Sequence, residues 1–512
     1  MNIAPDCGVQ FVATNGEELG HLAILETLGA GVALIDFDLD GQLEIWANGG
    51  GTFTSEPRPL GKPGVLLGGR DGQFVDTWDA ARLPREIFYN HAAIAADYNN
   101  DGFVDVLMTG YRGLALFENQ GDGTFAEVAQ PAGLDPLDWS TGAAWGDVNG
   151  DGALDLYVAN YLDWSFENHP RCVRQGGPDV CAPAEFTGLN DRLFISQGDG
   201  TFADGTAAWG LGPGGKGLGV LAADLNQDGR VDFYVANDTT PNFHYQNQGD
   251  RLEEVGLIAG TSLDQQAMPN GSMGLGFADV DGDQKLDLWV ANFEYENMAL
   301  YRNLGNGLFQ HDSQRMGIAA LGANYVAFGT AVEDFDLDGD MDIIVTNGHV
   351  MHHPTNSPVM QLPLLLENLG GNFRNVAAEV GGYFAQPHMG RGLATGDLDN
   401  DGDLDVVISH MNQPLTILEN RTVETPQTHV FRLIGRRSPR SSIGAELRLV
   451  PANRVAQVTS GASYLSTSSQ NLCFSAGTEP VKPSVRWPSG KEQETGDLDE
   501  LPGSVLPIIE AE

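Results

Sequence analysis

A nine-residue acidic pattern recurs seven times along this 512-residue chain. Positions 1, 3 and 5 carry Asp or Asn, position 6 is usually glycine, and position 9 is Asp or Glu. The copies, called loops 1 to 7, are Asp36–Glu44, Asp97–Asp105, Asp147–Asp155, Asp224–Asp232, Asp279–Asp287, Asp334–Asp342 and Asp397–Asp405. Their starts lie 61, 50, 77, 55, 55 and 63 residues apart. Such an array requires a repeated structural unit rather than a set of chance acidic turns.

The side chains of each loop suit a hard cation. Ca²⁺ takes about six to eight oxygen ligands at about 2.3–2.6 Å, and a glycine allows the chain to turn sharply between them. We therefore expect about five to seven bound Ca²⁺ ions in the whole chain. The predicted ligands are Asp36, Asp38, Asp40 and Glu44; Asp97, Asn99, Asp101 and Asp105; Asp147, Asn149, Asp151 and Asp155; Asp224, Asn226, Asp228 and Asp232; Asp279, Asp281, Asp283 and Asp287; Asp334, Asp336, Asp338 and Asp342; and Asp397, Asp399, Asp401 and Asp405.

Loop 5 departs from the pattern. Gly282 stands at its fourth position, and Asp283-Gln284 replaces the Asp-Gly pair of the other copies. The sequence alone therefore does not fix the backbone conformation of this turn.

Composition narrows the class of protein. The chain is 41% hydrophobic and 19% charged, with 66 glycines, which is typical of a folded, loop-rich β protein. Its length favours at least two domains. The formal charge of −43 arises from 70 acidic and 27 basic residues and argues against nucleic-acid binding, because little is present to neutralise phosphates.

Each loop belongs to a unit of four short strands. A small-residue strand precedes the loop, an apolar strand follows it, and two further strands flank a Gly-rich turn, as in 115–128 and 193–204. Seven such units predict a seven-bladed β-propeller over residues 1–420. The seventh unit lacks a fourth strand, and we expect residues 8–15 to complete it.

The character of the chain changes after the seventh unit. Residues 421–429 are polar with one proline and predict a linker. Residues 430–512 contain six segments of alternating polarity, which predict a second domain, a small β-sandwich or barrel. The fold class is therefore all-β.

Cysteine placement bears on the compartment. Cys172 and Cys181 bracket a Gly-Pro turn, and a short disulfide is favoured over two free thiols, whereas Cys7 and Cys473 are expected to be unpaired. The opening sequence lacks a basic n-region and an apolar h-region. Either a leader has been removed or the protein is intracellular; we favour the former and an extracellular, periplasmic or cell-surface location. No run of apolar residues is long enough for a transmembrane helix.

The chain resembles a known family in both halves. Its repeats resemble the FG-GAP or VCBS repeats of integrin α-subunit propellers. Residues 442–445 (SIGA), 460–464 (SGASY), 468–469 and 485–490 (VRWPSG) follow the order of an ASPIC/UnbV domain. The pair resembles the cartilage acidic protein family and its bacterial relatives. This resemblance implies a Ca²⁺-loaded propeller with adhesion, matrix or scaffolding roles.

The expected function is a Ca²⁺-binding scaffold that holds a protein or glycan partner on one propeller face. One alternative is an enzyme (a hydrolase, lyase or cyclase) with its site in the central channel, where His349, His388 and Arg391 are the residues to inspect. Another is a structural matrix component. No catalytic residue is predicted, and no nucleic-acid partner is expected.

Overall fold

The computed structural model describes residues 1–70, 73–135, 138–422, 427–450, 452–476, 481–496 and 505–512. Almost all of its regular structure is β, so the all-β prediction is confirmed. The helices are single turns, and none in the described part of the chain has the length and apolar character needed to span a bilayer. They are α1 (Gly256–Ala259), α2 (Ala377–Val380) and the 3₁₀ turns Glu17–Leu19, Ile24–Thr27, Phe166–Asn168, Pro183–Glu185, Ile318–Leu321 and Gly382–Ala385.

The first three units form antiparallel sheets. Sheet 1 contains β1 (Val32–Ile35), β2 (Glu44–Ala47), β5 (Val65–Arg70) and β6 (Gln73–Asp76). Between β2 and β5 the chain forms a separate hairpin of β3 (Gly51–Phe53) and β4 (Pro59–Gly61). Sheet 2 contains β7 (Asn90–Ala96), β8 (Asp105–Gly110), β9 (Gly113–Asn119) and β10 (Phe125–Glu127). Sheet 3 contains β11 (Ser140–Gly146), β12 (Asp155–Asn160), β15 (Arg192–Ser196) and β16 (Phe202–Asp204). Between β12 and β15 the chain forms a separate hairpin of β13 (Cys172–Arg174) and β14 (Gly177–Asp179).

The next four units repeat this order. Sheet 4 contains β17 (Gly217–Ala223), β18 (Asp232–Asn237), β19 (Phe243–Asn247) and β20 (Leu252–Glu254). Sheet 5 contains β21 (Ser272–Ala278), β22 (Asp287–Asn292), β23 (Ala299–Gly305) and β24 (Leu308–His311). Sheet 6 contains β25 (Ala327–Glu333), β26 (Asp342–Asn347), β27 (Leu364–Asn368) and β28 (Phe373–Asn375). Sheet 7 contains β29 (Gly390–Gly396), β30 (Asp405–His410) and β31 (Thr416–Leu418).

The first strand of each sheet is its inner strand. Inner strands of successive sheets contact one another, and β29 of sheet 7 contacts β1 of sheet 1, so the ring closes. The small residues of these strands make this approach possible. A side chain at Gly142 would meet the Leu218 carbonyl oxygen at 2.5 Å, and one at Gly219 would meet that of Met273 at 2.2 Å. Glycine is therefore required where neighbouring sheets approach most closely.

Apolar side chains fill the spaces between the sheets. Trp46, Trp145 and Trp289 are buried, and Tyr157 of sheet 3 packs on Phe233 of sheet 4 with ring centroids 4.9 Å apart. Each such aromatic pair contributes about 0.5–1.5 kcal/mol beyond the area it buries. The apolar second strands predicted from sequence supply much of this core.

The N-terminal segment lies against sheet 7. Ile3 donates its N–H to the Ile417 carbonyl, Val12 pairs with Pro414, and Ala13 pairs with Met411. Thr14 then pairs with Gly50 near sheet 1. The contact therefore includes residues of the predicted closing segment 8–15 and also begins earlier, at Asn2 beside Leu418.

The C-terminal domain contains two sheets. One has the order β36-β32-β39, with β32 and β39 parallel; the other has the order β34-β33-β37-β38. The strands of these two sheets are β32 (Gln427–Ile434), β33 (Glu446–Val450), β34 (Arg454–Gln457), β36 (Leu472–Ala476), β37 (Lys482–Arg486), β38 (Glu492–Glu494) and β39 (Val505–Ile509). The remaining strand, β35 (Ser460–Gly461), pairs with β17 of sheet 4. Because β32 begins at Gln427, the predicted linker 421–429 is too long at its C-terminal end; residues 423–426 lie outside the described part.

A segment of the C-terminal domain, residues 460–468, occupies the centre of the ring; we call it the plug segment. Its residues hydrogen-bond to the inner strand of every one of the seven sheets. These bonds include Thr467 N to Val32 O, Ala93 N to Leu465 O, Trp145 N to Ser460 Oγ, Ala462 N to Val220 O, Ser463 N to Leu275 O, Thr330 N to Ser463 Oγ, and Ser463 Oγ to Leu393 O. The plug segment therefore supplies hydrogen-bond partners for inner-strand N–H and C=O groups that face the channel.

The opposite mouth of the channel is covered by the insertion of sheet 3. Cys172 and Cys181 form a disulfide there, as predicted. The buried carboxylate of Asp179 accepts the backbone N–H groups of His352 and His353 at 3.0 and 2.9 Å. The insertion is thereby joined to the loop that follows β26, across the ring.

Candidate metal centres

All seven loops share one backbone conformation. Each lies between the first and second strands of its sheet, and its position-9 acid is the first residue of the second strand. Positions 4 and 6 have positive φ in every loop. The position-4 residues are Leu39, Asn100, Gly150, Gln227, Gly282, Leu337 and Asn400, with φ between 60° and 73°. The glycine at position 6 was recognised in the sequence; the equal demand at position 4 was not.

Loop 5 keeps this conformation despite its altered sequence. Gln284 stands at position 6 with φ 66°, where the other loops have glycine. Its N–H still donates to Asp279 Oδ2 at 2.9 Å. A left-handed conformation costs a non-glycine residue about 1–2 kcal/mol. Loop 5 has this cost at position 6, whereas loops 1, 2, 4, 6 and 7 have it at position 4.

The position-9 acid links the loop to its own sheet. In loop 2, Asp105 Oδ2 accepts the N–H of Tyr98 at 3.2 Å, and Oδ1 accepts the N–H of Asn119 at 2.8 Å. The same pair of bonds recurs at Asp155, Asp232, Asp287 and Asp405. Both oxygens therefore contribute to the backbone geometry of the loop.

A second residue, not predicted from the sequence, links neighbouring sheets. An Asn at or just beyond the end of the third strand donates its Nδ2 to the carbonyl of position 2 in the preceding loop. The pairs are Asn119 to Phe37 (2.7 Å), Asn247 to Val148 (2.8 Å), Asn303 to Leu225 (3.4 Å), Asn368 to Val280 (2.9 Å) and Asn420 to Phe335 (2.9 Å). The Asn that recurs before four of the Gly-rich turns (Asn119, Asn247, Asn303 and Asn368) was a signal available in the sequence.

In four loops three carboxylates converge. One oxygen from each of three acids lies within 4.8 Å of the other two. These groups are Asp36, Asp38 and Asp40; Asp279, Asp281 and Asp287; Asp334, Asp336 and Asp338; and Asp397, Asp399 and Asp405. Like charges at this separation repel unless a cation or protons lie between them.

Loops 2, 3 and 4 carry Asn at position 3 and show no such three-carboxylate group among the described residues. Their Asn side chains instead hydrogen-bond to position 5. Asn99, Asn149 and Asn226 each donate Nδ2 to that Asp at 2.9–3.0 Å and accept its N–H at 2.9 Å. The structure thus brings the predicted ligands together most closely in the loops with four acids.

Several loop oxygens are buried without a hydrogen-bond partner. They are Asp97 Oδ1, Asp281 Oδ1, Asp334 Oδ1 and Asp403 Oδ1. A buried, unpaired carboxylate oxygen is costly, and a cation bound there would satisfy it. The donor set of carboxylate oxygens, with an Asn amide in three loops, therefore fits Ca²⁺.

Asp403 is a candidate ligand that sequence reasoning missed. It holds position 7 of loop 7, which is not among the positions of the recurring acidic pattern. Its side chain is nevertheless buried, and burial together with Asp401, Asp399 and Asp397 raises its pKa to about 7. The equivalent Asp340 of loop 6 is 42% exposed, so the difference lies in local packing.

The acids at position 9 have strongly raised pKa values. Burial, followed by the neighbouring loop carboxylates, raises the pKa of Glu44, Asp287, Asp342 and Asp405 to about 8. Backbone N–H donors lower these pKa values but do not offset burial. Near neutral pH, the cation-free loops therefore retain protons that a bound cation would displace.

His349, His388 and Arg391, the residues named for the enzyme alternative, each contact different protein groups. Arg391 is buried, donates to the carbonyls of Thr27, Gly348 and Gly390, and lies over the ring of Phe328. The guanidinium of Arg391 is therefore already enclosed by protein carbonyls and an aromatic ring.

The two histidines also have protein partners. His349 Nε2 lies 3.2 Å from Glu294 Oε1, and both residues are buried. His388 stacks on Tyr383 at 4.1 Å and lines a cleft of about 1130 Å³ between sheets 6 and 7. Arg391, at the centre of the ring, and His388, in this cleft, do not share one site.

Comparison with protein families identifies both halves of the chain. The model of the FG-GAP-like repeat matches residues 97–158, 176–235, 224–290 and 279–345, and the model named ASPIC and UnbV matches residues 435–500. The chain is an FG-GAP-repeat protein with an ASPIC/UnbV domain. The resemblance stated from the sequence is thereby confirmed, and the plug segment lies within the ASPIC/UnbV match.

Relatives of this FG-GAP-repeat protein include cartilage acidic protein 1. The protein from Xenopus tropicalis is 26% identical over 349 residues, and the human protein is 24% identical over 351 residues. These matches cover 63% of this chain and 49% and 48% of the relatives. The chain therefore spans about half the length of the curated relatives it matches.

Solved structures show a weaker likeness. An Agrocybe aegerita lectin that recognises non-reducing terminal N-acetylglucosamine has a TM-score of 0.37 and 18% identity, over 67% of this chain and 78% of the lectin. BBS1N, solved in complex with ARL6DN, has a TM-score of 0.39 and 9% identity, over 81% of this chain and 96% of that protein. Neither score supports a functional argument.

Proposed function

We propose that the seven loops bind Ca²⁺ and that the bound ions hold the propeller together within an extracytoplasmic interaction scaffold. The observation that carries this proposal is the convergence of three carboxylates in each of four loops, beside buried oxygens that lack a partner. Family membership supports the coarser description, an extracellular-type repeat scaffold.

The bound ion would neutralise the converging carboxylates and complete the hydrogen-bonded loop. Loop residues at positions 1, 3, 5 and 9 would hold it, with Asp403 added in loop 7. The loop already connects two sheets, because position 2 accepts the Asn donor of the next sheet. Metal binding at one loop is therefore coupled to the packing of its neighbour, and hence to folding.

Metal content and thermal melting test this proposal. We expect about five to seven Ca²⁺ ions per chain, and a lower melting temperature after treatment with EGTA. Asp338→Asn, at position 5 of loop 6, where all seven loops have Asp, should remove one ion and lower the melting temperature in Ca²⁺. Asp250→Asn makes the same charge change at an exposed site outside the loops and serves as the control. Absence of bound Ca²⁺ together with identical melting in Ca²⁺ and EGTA would refute the proposal.

The scaffold role rests on the repeats and on which face of the propeller is free. FG-GAP repeats are generally interaction modules. The C-terminal domain contacts the face that carries the loops, so we assign the protein or glycan partner to the opposite face, around the disulfide insertion. Val173 projects from that insertion and is 76% exposed.

Capture experiments can locate the partner surface. The wild-type protein and a Val173→Asp variant would be immobilised and exposed to a glycan array and to extracellular protein extracts. Capture of one partner that is lost in Val173→Asp, but retained in Leu257→Asp on the outer rim, would support this face. Leu257 is similarly exposed, at 72%. Equal capture by all three proteins would refute the assignment.

The disulfide supports an oxidising location. Ca²⁺ sites built from carboxylates also suit compartments rich in free Ca²⁺. Detection of the native protein with both cysteines in the thiol form would contradict an extracytoplasmic location.

A further inference from the structure

An arginine of the C-terminal domain contacts the first aspartate of loop 4. Arg486 Nη1 lies 2.7 Å from Asp224 Oδ2, and Arg486 Nη2 lies 3.1 Å from Glu446 Oε2. The two carboxylate side chains are 1% exposed, and Arg486 is 23% exposed. The ion pair therefore joins the two domains in a largely desolvated position.

Arg486 also completes the hydrogen bonding of Asp224. Asp224 Oδ1 accepts the N–H of Asp228 at 2.9 Å, and Oδ2 accepts that of Gly229 at 2.8 Å in addition to the guanidinium. In loops 2 and 6, by contrast, Oδ1 of the first aspartate is buried without a partner. Asp224 thus has its charge and its hydrogen bonds satisfied by protein groups alone.

The surrounding contacts fix Arg486 in this position. Glu446 also accepts from Arg448 Nε at 2.7 Å, and Arg448 reaches Gln284 of loop 5 at 3.3 Å. The other arginine contacts to a first aspartate are longer and more exposed. Arg432 lies 3.5 Å from Asp36, and Arg440 lies 3.7 Å from Asp97, with 38% and 49% of the arginine side chains exposed.

We propose that Arg486 is an internal competitor of Ca²⁺ at loop 4, so that this loop binds Ca²⁺ more weakly than it would without the guanidinium. The proposal rests on the proposed Ca²⁺ binding and specifies one of its sites. Loop 4 has Asn226 at position 3 and therefore one carboxylate fewer than the four-acid loops. A positive charge on its first ligand repels an incoming cation in a site where screening by water is weak.

The coupling must act in both directions. If Arg486 weakens Ca²⁺ binding at loop 4, then Ca²⁺ at loop 4 weakens the Arg486–Asp224 contact by the same factor. Ca²⁺ would thereby loosen one link between the propeller and the C-terminal domain while it strengthens the propeller itself. At loop 4, Ca²⁺ binding would therefore stabilise the propeller and weaken its contact with the C-terminal domain at the same time.

Equilibrium dialysis against a series of free Ca²⁺ concentrations tests the proposal. Bound ions would be counted in wild type, Arg486→Gln and Arg486→Lys. Arg192→Gln is the control, since it removes the same charge from an ion pair of sheet 3 outside the loops. We expect Arg486→Gln to tighten one site about fivefold or more, with Arg486→Lys and Arg192→Gln close to wild type. Adding Asp228→Asn, which disables loop 4, should abolish the difference.

Three results of this experiment would contradict the competitor role of Arg486. Unchanged or weaker Ca²⁺ binding in Arg486→Gln would overturn the competitor role while leaving Ca²⁺ binding intact. Tightening that persists with Asp228→Asn would place the effect at another loop and also overturn it. If Arg486→Gln does not fold, Glu446→Gln is the second variant. Releasing Arg486 from Glu446 should strengthen its hold on Asp224 and weaken the site, and unchanged or tighter binding would contradict this.

A wild type that binds no Ca²⁺ would refute the proposed function itself. This result differs from every failure of the competitor role, because those failures all include Ca²⁺ bound to the wild type.

Discussion

The amide of Asn119 donates a hydrogen bond of 2.7 Å to the carbonyl of Phe37, across the boundary between sheets 2 and 1. The same side chain accepts the N–H of Gly121, and its backbone N–H binds Asp105. One residue therefore connects a Gly-rich turn, the position-9 acid of its own sheet and the loop of the preceding sheet. Four other sheets repeat the amide-to-carbonyl contact with their own Asn.

Replacement of Asn119 by alanine should destabilise the propeller. The change leaves the buried Phe37 carbonyl without this donor and removes the acceptor for Gly121, so we expect a loss of about 1–3 kcal/mol. Chemical denaturation followed by tryptophan fluorescence measures it. Asn356→Ala, at an exposed site bonded only to Thr355 in this structure, should change stability little. Equal effects of the two substitutions would argue against the role of Asn119.

The stability of the Ca²⁺-free protein should fall as pH rises. Glu44, Asp342 and Asp405, at position 9 of their loops, have pKa values of about 8 in the folded chain and about 4 when unfolded, so the folded state binds more protons between these values. The protonation contribution is complete below about pH 4 and is lost as pH rises to about 8. In EGTA, we expect a higher melting temperature at pH 6 than at pH 8.

Saturating Ca²⁺ supplies the contrast for this measurement. A bound cation replaces the protons, so the difference in melting temperature between pH 6 and pH 8 should shrink or reverse. The same fall with pH in EGTA and in Ca²⁺ would show that other groups dominate.

Glu510 should stabilise the C-terminal domain. Its Oε2 accepts the N–H groups of Arg436, Arg437 and Ser438 at 2.8–2.9 Å, and Ser489 Oγ donates to Oε1 at 2.5 Å. These bonds lower the pKa of Glu510 to about 2 despite its burial. Glu510→Gln should cost about 1.5–3 kcal/mol.

Two measurements separate this effect from a general change of charge. Glu492→Gln makes the same change at an exposed position and should be nearly neutral. The contribution of Glu510 should be constant above about pH 5 and be lost as pH falls toward 2. Equal unfolding curves for the two variants would refute the role of Glu510.

Tyr464 should be essential to the joint stability of the two domains. It is fully buried in the plug segment, packs edge-on against Phe328 at 4.9 Å, and donates to the Leu28 carbonyl at 3.1 Å. Tyr464→Ala should cost about 3–5 kcal/mol and lower the melting of propeller and C-terminal domain together. Tyr464→Phe keeps the ring and should cost far less. Separate melting of the two domains in the wild type would contradict this expectation.

Sequence patterns predicted those features that depend on neighbours close in the chain. The Asp-rich loops, the strands around them and the Cys172–Cys181 pair are local, and each has a distinctive spacing. Features that depend on distant residues were missed. Asn119 is ordinary until Phe37 is brought beside it, and Asp403 becomes a candidate ligand only once packing buries it.

The plug segment shows the same limit most clearly. Apart from Tyr464 and Leu465, residues 460–468 are small or polar, which is typical of an exposed turn. Their hydrogen-bond partners are inner strands as far away in the chain as Val32. Periodicity and turn chemistry carry no information about such pairing. The contact of Arg486 with Asp224 is hidden from sequence for the same reason.

The position of the plug segment in the chain has a consequence for biosynthesis. A ribosome makes all seven sheets before it makes residues 460–468, yet these residues bond to the inner strand of each sheet. Until these residues are made, the channel-facing backbone groups of the ring can hydrogen-bond only to water. Synthesis of residues 460–468, rather than completion of the last sheet, then sets the earliest time at which the native centre can form, and a nascent chain stalled before residue 460 would expose an unfinished axis to quality control.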